Sequence, residues 1–172
     1  MNDKPSYLGL LNAIALGEGR AAVYLRCWAD TTPHPEVAGV LRSIAIREAE
    51  HSMAFEKRLD ELGYSVIDMP DAYQDKAMAV ASSTTMSDRE KFEELKLHRP
   101  PTTGKSDIFD KFFENKDIDP ITGGLLGRYV AEERDSGRRF AACYDALEAM
   151  AVAAPATPAA KKPRKAAARA AK

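Results

Sequence analysis

The sequence predicts an all-α protein: an antiparallel four-helix bundle with an irregular or short third helix and a disordered basic tail at its C-terminus. Three observations carry this expectation. Apolar residues recur at helical spacing through three long stretches. Prolines, glycines and capping residues punctuate those stretches where helices should begin and end. Each apolar stripe is interrupted near its middle by one glutamate, Glu18, Glu48 or Glu133.

The first helix is expected after Ser6, a candidate N-cap, and to run to about Asp30, where Thr31-Thr32-Pro33-His34-Pro35 stops it. Its stripe is Leu8, Leu11, Ile14, Glu18, Ala21, Leu25 and Trp28. Gly17 and Gly19 flank the glutamate, and each costs about 1 kcal/mol relative to alanine inside a helix, which suggests that room matters there. The second helix is expected from about Pro35 to Gly63, a suitable C-terminal cap. Its stripe runs Val37, Leu41, Ile44, Glu48, His51, Phe55, Leu59 and Leu62, with Glu50 off it. Between Tyr64 and Pro120 the pattern weakens at Pro70, Pro100, Pro101 and the Ser82-Ser83-Thr84-Thr85 cluster. Two short helices are expected there. One opens at the capping-box spacing of Ser87-Asp88-Arg89-Glu90 and reaches about Leu97, with Phe92 and Leu95 inward; the other spans 107–114. The last helix starts at Asp119 as N-cap with Pro120 in its first turn, and extends to about Met150. Leu126, Tyr129, Glu133, Ser136, Phe140, Tyr144 and Leu147 form its stripe, which puts Glu133, not Glu132, on the core face.

A chain of 172 residues with 45 % apolar content buries one core of ordinary size, assigned to residues 1–152, with a tail at 153–172. The net charge of −1 hides an asymmetry: six of the 25 basic residues follow Pro155 with no acid among them, leaving 19 basic against 26 acidic residues before it. Two cysteines without close spacing, Cys27 and Cys143, indicate neither a zinc ribbon nor a disulfide framework. With no signal-peptide core and no long uncharged apolar run, the expected setting is cytoplasmic and away from membranes. Gly104-Lys105-Ser106 is no phosphate-binding loop, because the position that needs the first glycine is Arg99.

The glutamates converge if the first two helices form a hairpin about residue 33. Glu18 stands about 15 residues before that turn and Glu48 about 15 after it, so at 1.5 Å rise per residue they share a level. Glu133 sits far enough into its helix to reach the same level, and His51 lies one turn from Glu48. No Arg or Lys occurs on the three stripes, so protons, an off-stripe arginine such as Arg20, Arg47 or Arg134, or a bound cation must neutralise the carboxylates. Three carboxylates and one imidazole suit one or two divalent ions.

With Glu18 in the first helix and Glu48-x-x-His51 in the second, the chain resembles the ferritin-like superfamily, in particular rubrerythrin-type and ferritin-type di-iron bundles. The resemblance covers about residues 6–150. It departs from the rubrerythrin pattern in offering Glu133-x-x-Ser136 in place of a second Glu-x-x-His and no glutamate in the third helix, which leaves a mononuclear or lopsided site open. The resemblance implies iron, one or two ions, with manganese as an alternative, ligated by Glu18, Glu48, His51 and Glu133. It implies an oxidoreductase or metal-handling protein acting on oxygen, peroxide or Fe(II). Tyr129, one turn before Glu133, is the candidate catalytic residue, placed to hydrogen-bond oxygen at the iron. Electrons for a peroxidase cycle would come from another protein, since no four-cysteine electron-transfer module is present, and a homodimer is the expected assembly. The competing expectation is a metal-free bundle that binds partners, including nucleic acid through the cations of 161–172, with salt-sensitive affinity.

Overall fold

The computed structural model describes residues 4–99, 109, 112 and 114–153. Every regular element among them is helical: α1 (Leu8–Thr31), α2 (Pro35–Glu61), α3 (Ala72–Ser82), α4 (Asp88–Glu94) and α5 (Pro120–Ala153). None of these helices is long and apolar enough to cross a membrane. Of the 107–114 segment only residues 109, 112 and 114 are described, and 154–172, where the tail and its nucleic-acid role were expected, lie outside the described residues.

Local chemistry sets the helix ends, not always as the sequence suggested. Ser6 does not cap α1: Tyr7 occupies that position, and the Ser6 hydroxyl instead donates to Asp117 at 3.1 Å. α2 closes as expected at Gly63, whose φ of +81° is open to glycine without cost; the Gly63 amide donates to the Asp60 carbonyl at 2.8 Å and the Tyr64 amide to Leu59 at 2.9 Å. α3 has no counterpart in the sequence expectation. Its inward residues are only Ala77, Val80 and Ala81, too small to write a visible stripe, and the breakers read as disrupting the region mark its ends, with Asp71 capping its start. α4 has the expected capping box, with the Ser87 amide donating to Glu90 Oε2 at 2.7 Å and the Glu90 amide to Ser87 Oγ at 3.3 Å. It ends earlier than expected, because Lys96 adopts a φ of +58° and the Leu97 amide turns back to the Phe92 carbonyl at 2.9 Å. α5 starts on Asp119, whose Oδ1 accepts from the amides of Ile121 at 3.0 Å and Thr122 at 3.1 Å.

α1 and α2 form an antiparallel hairpin: Ser52 Oγ donates to the Ala15 carbonyl at 2.8 Å at one level, and Arg42 to the Ala29 carbonyl at 3.3 Å near the turn. α3 packs on α1, α4 on α5, α3 on α4, and α5 on α2, so the short pair and the three long helices close a ring. The apolar interior is split in two. Near the α1–α2 turn, Trp28, Leu41, Ile44, Val80, Phe92 and Phe140 pack together. At the opposite end, Leu11, Ile14, Phe55, Leu59, Leu126 and Val130 do so.

A polar anchor serves each end. Trp28 Nε1 donates to Asp88 at 2.7 Å, the Thr32 hydroxyl also reaches Asp88, and the buried Lys91 donates to the Ala81 carbonyl at 2.9 Å, tying α4 to α1 and α3. At the other end Asp119 Oδ2 accepts from Tyr7 at 2.6 Å, from Thr122 Oγ1 at 2.6 Å and from Arg58 at 3.0 Å. Burial acts to raise the Asp119 pKa, but the bonds from Thr122, Tyr7 and Arg58 outweigh it and hold the carboxyl well below its usual 3.8.

Two predictions follow from this packing. A β-carbon on Gly17 meets nothing within 4 Å, whereas one on Gly19 meets Ser52 Oγ at 2.9 Å. Gly17→Ala should therefore stabilise the fold by about 0.5–1 kcal/mol in urea unfolding, and Gly19→Ala should fail to do so. Asp119→Ala should cost about 2 kcal/mol or more by removing a cap and a partner of the buried Arg58. Because the folded pKa is depressed, the contribution of Asp119 is fully present above its unfolded value of 3.8 and is lost on acidification, which the pH dependence of the wild-type minus variant difference measures.

Candidate metal centre

Between the two apolar halves lies a polar layer to which three helices contribute. α1 brings Glu18, α2 brings Glu48 and, one turn on, His51, and α5 brings Glu133; one potential ligand atom from each lies within 4.8 Å of all the others. His51 Nδ1 stands 3.5 Å from Glu48 Oε2, 3.7 Å from Glu133 Oε1 and 3.9 Å from Glu18 Oε2. The His51 and Glu48 side chains are each 5 % exposed. Tyr129, the residue expected to be catalytic, donates its hydroxyl to Glu18 Oε1 at 2.8 Å, with its ring edge-on to His51 and Phe55.

Hydrogen bonds around the layer orient its members. His51 Nε2 lies 2.6 Å from Glu132 Oε2, and the other oxygen of Glu132 accepts from Arg128 at 3.0 Å. With the Nε2–H directed at Glu132, Nδ1 faces the three carboxylates, the arrangement in which a carboxylate fixes the tautomer of a metal-binding histidine. The sequence pattern does not mark Glu132, because it is off the α5 stripe; its reach over the edge of α2 follows from how the two helices pack. Arg20 and Arg47 are bonded elsewhere and do not supply the missing positive charge by direct bonding. Arg20 is held by Asp68 at 3.0 Å, and Arg47 donates to Asp135, Ser136 and the Glu132 carbonyl, each at 3.0 Å.

Among the described residues, four buried side-chain atoms lack a hydrogen-bond partner: Glu48 Oε2, His51 Nδ1, Glu133 Oε1 and Gln74 Oε1. Three belong to the layer. Buried polar atoms are ordinarily paired, so three orphans converging on one point mark a place for a shared partner. Proton affinities agree. Burial and the nearby Glu18 and Glu133 carboxylates push Glu48 up to about 9. Burial and the Glu18 charge push Glu133 up to about 7. Burial disfavours the His51 cation, yet the surrounding Glu18, Glu48 and Glu132 carboxylates prevail and raise it to about 10. Glu18 is raised by burial but lowered more by the neighbouring His51 and Glu48 and by the hydrogen bond from Tyr129, so it is the acid of the layer that ionises first.

Two cavities flank the layer. One of about 250 Å³ is bounded by Glu18, Glu48 and Glu133 together with Tyr24, Gln74 and Phe140. Another of about 350 Å³ reaches His51 and Tyr129 between α2 and α5. A wider groove of about 600 Å³ between Val37 and Leu147 is lined by none of the cluster residues. No family model, no curated protein and no solved structure matches the chain.

The cluster fixes the sign of a pH effect. The folded metal-free chain holds protons that the unfolded chain releases, at Glu48 between 4.5 and about 9 and at His51 between 6.5 and about 10. Protons bound in excess by the folded state make stability fall as pH rises through those windows. Urea unfolding of chelator-treated protein should show lower stability at pH 9 than at about pH 6, and Glu48→Gln should flatten that slope.

Proposed function

We propose that the chain is a ferritin-like metal-binding bundle in which Glu18, Glu48, His51 and Glu133 hold iron, or manganese in its place, and that it acts as an oxidoreductase or metal-handling protein on oxygen, peroxide or Fe(II). One observation carries the reading: an imidazole nitrogen and two carboxylate oxygens, buried and without partners, face one another between two apolar layers. That donor set fits the group. Carboxylate oxygens and one imidazole suit a hard or borderline divalent ion, and a bundle interior is where such ions are held by facing helices.

Bound iron would supply one-electron chemistry with oxygen or peroxide. The protein's own residues do the rest. Glu132 keeps the proton on Nε2 so that Nδ1 is free to bind. The Tyr129 hydroxyl holds Glu18 in one orientation and leaves its second oxygen toward His51. The apolar layers above and below limit water, while the cavity of about 250 Å³ admits a small molecule to the Glu18, Glu48 and Glu133 side. Catalytic turnover with peroxide needs an electron donor from outside the chain, and Fe(II) itself serves when iron handling is the task.

Elemental analysis of protein expressed with iron, manganese and zinc available tests the reading. About one or two iron or manganese ions per chain are expected, lost in Glu48→Ala and His51→Ala, with Glu132→Gln lowering affinity about 10–100-fold. Bound metal should raise stability by about 2.7 kcal/mol at a hundredfold excess over Kd. Less than about a tenth of an ion per chain in the wild type, at pH values where Glu48 and His51 can lose their protons, would overturn it.

A further inference from the structure

We infer that Gln74 of α3 is a fifth protein ligand of the candidate centre and that, by presenting a neutral carbonyl oxygen where a charged one would be needed for a second metal, it holds the centre to a single divalent ion. The inference rests on the metal-binding reading above. Gln74 lies on the helix that the sequence pattern does not reveal, and it lines the same cavity as Glu18, Glu48 and Glu133. Its Oε1 is the one orphaned buried atom outside the layer among the described residues, while the other three are all in it. An acceptor left unsatisfied in this way costs about 1–3 kcal/mol. Glu18, Glu48 and Glu133 across the cavity are acceptors too when ionised, and the Arg20 guanidinium that also lines it is taken up by Asp68 at 3.0 Å and Asp71 at 3.6 Å, so a cation is the partner that satisfies both sides at once.

Charge then sets the number of ions. Glu18, Glu48 and Glu133 provide three negative charges, and neither neutral His51 nor Gln74 adds another. One divalent ion with three carboxylates, an imidazole and an amide carbonyl is well supplied with ligands. Two ions would carry four positive charges into a largely buried layer against three negative ones, and the further carboxylates nearby are already engaged, Asp71 by Arg20 at 3.6 Å and Glu132 by His51 at 2.6 Å and Arg128 at 3.0 Å. A carboxylate at position 74 would supply the missing charge on the cavity side.

Calorimetric titration with Mn²⁺ and Co²⁺, with ions per chain counted independently, compares the wild type with Gln74→Glu and Gln74→Leu. The wild type is expected to saturate at about one ion, Gln74→Glu at about two, and Gln74→Leu at about one with affinity reduced about tenfold or more. The visible absorption of bound Co²⁺ should intensify in Gln74→Leu as the coordination number falls. Circular dichroism and melting temperature establish that each variant is folded, and Gln74→Ala replaces either one that is not. A wild-type stoichiometry of two, or two folded variants that bind like the wild type, overturns the role of Gln74 while leaving the metal centre standing. A wild type that binds neither ion overturns the centre and the inference together.

Discussion

Three carboxylates held at one level of an apolar bundle impose the constraint on which the rest of this structure depends. At an effective dielectric of about 20, two unit charges 4.8 Å apart repel by about 3.5 kcal/mol, so three ionised groups would oppose folding by about 10 kcal/mol. That is comparable to the whole stability of an ordinary domain. The layer can exist only if something positive shares it. Protons suffice for the metal-free chain, which is why Glu48 and Glu133 are pushed up and His51 is held as a cation. A divalent ion would replace those protons at the same atoms, and the Nδ1 of His51 is the position where the two alternatives exclude one another most directly.

The architecture isolates that conflict. An apolar half lies on each side of the layer, and a separate polar anchor locks each half at its far end, Asp88 with Trp28 and Lys91 at one and Asp119 with Tyr7 and Arg58 at the other. Both anchors are closely hydrogen-bonded, in contrast to the centre with its orphaned atoms. The helices are therefore fixed by interactions that do not depend on what occupies the layer, and the centre can remain unsatisfied without freeing the ends of the bundle. Gly19 contributes to the same end from within α1, letting Ser52 approach the backbone of Ala15 one turn from Glu18 and so fixing the level at which the hairpin brings its two glutamates together.

How much of this was legible in the sequence follows from the size of the residues that carried each feature. The stripes of α1, α2 and α5 were written in Leu, Ile, Phe and Trp, and so the hairpin register that brings Glu18 level with Glu48 could be counted from the turn. α3 was not legible because its buried face is two alanines and one valine, a pattern that polar surroundings mask. Losing α3 from the reading also hid Gln74, which lines the cavity only because that helix lies against α1. Ser6 shows the opposite error: it had the chemistry of an N-cap, but a tertiary bond to Asp117 drew its hydroxyl elsewhere. Glu132 was set aside because helical periodicity reports where a β-carbon points, and a glutamate side chain is long enough to cross from the edge of one helix to the histidine of the next.

Glu132 also explains why the layer holds a histidine rather than a fourth carboxylate. A carboxylate at position 51 would add a third orphaned acid oxygen and more repulsion, and would have nothing to accept from Glu132. An imidazole has two faces with separable roles. Nε2 can donate to a carboxylate that is itself paired with Arg128, which leaves that carboxylate ionised and the ring fixed. Nδ1 is then left to take a proton when the layer needs charge and to give it up when a cation supplies that charge instead. The choice between a protonated and a metal-filled layer thus turns on one ring nitrogen whose orientation is set from outside the layer, so the two states can share one backbone.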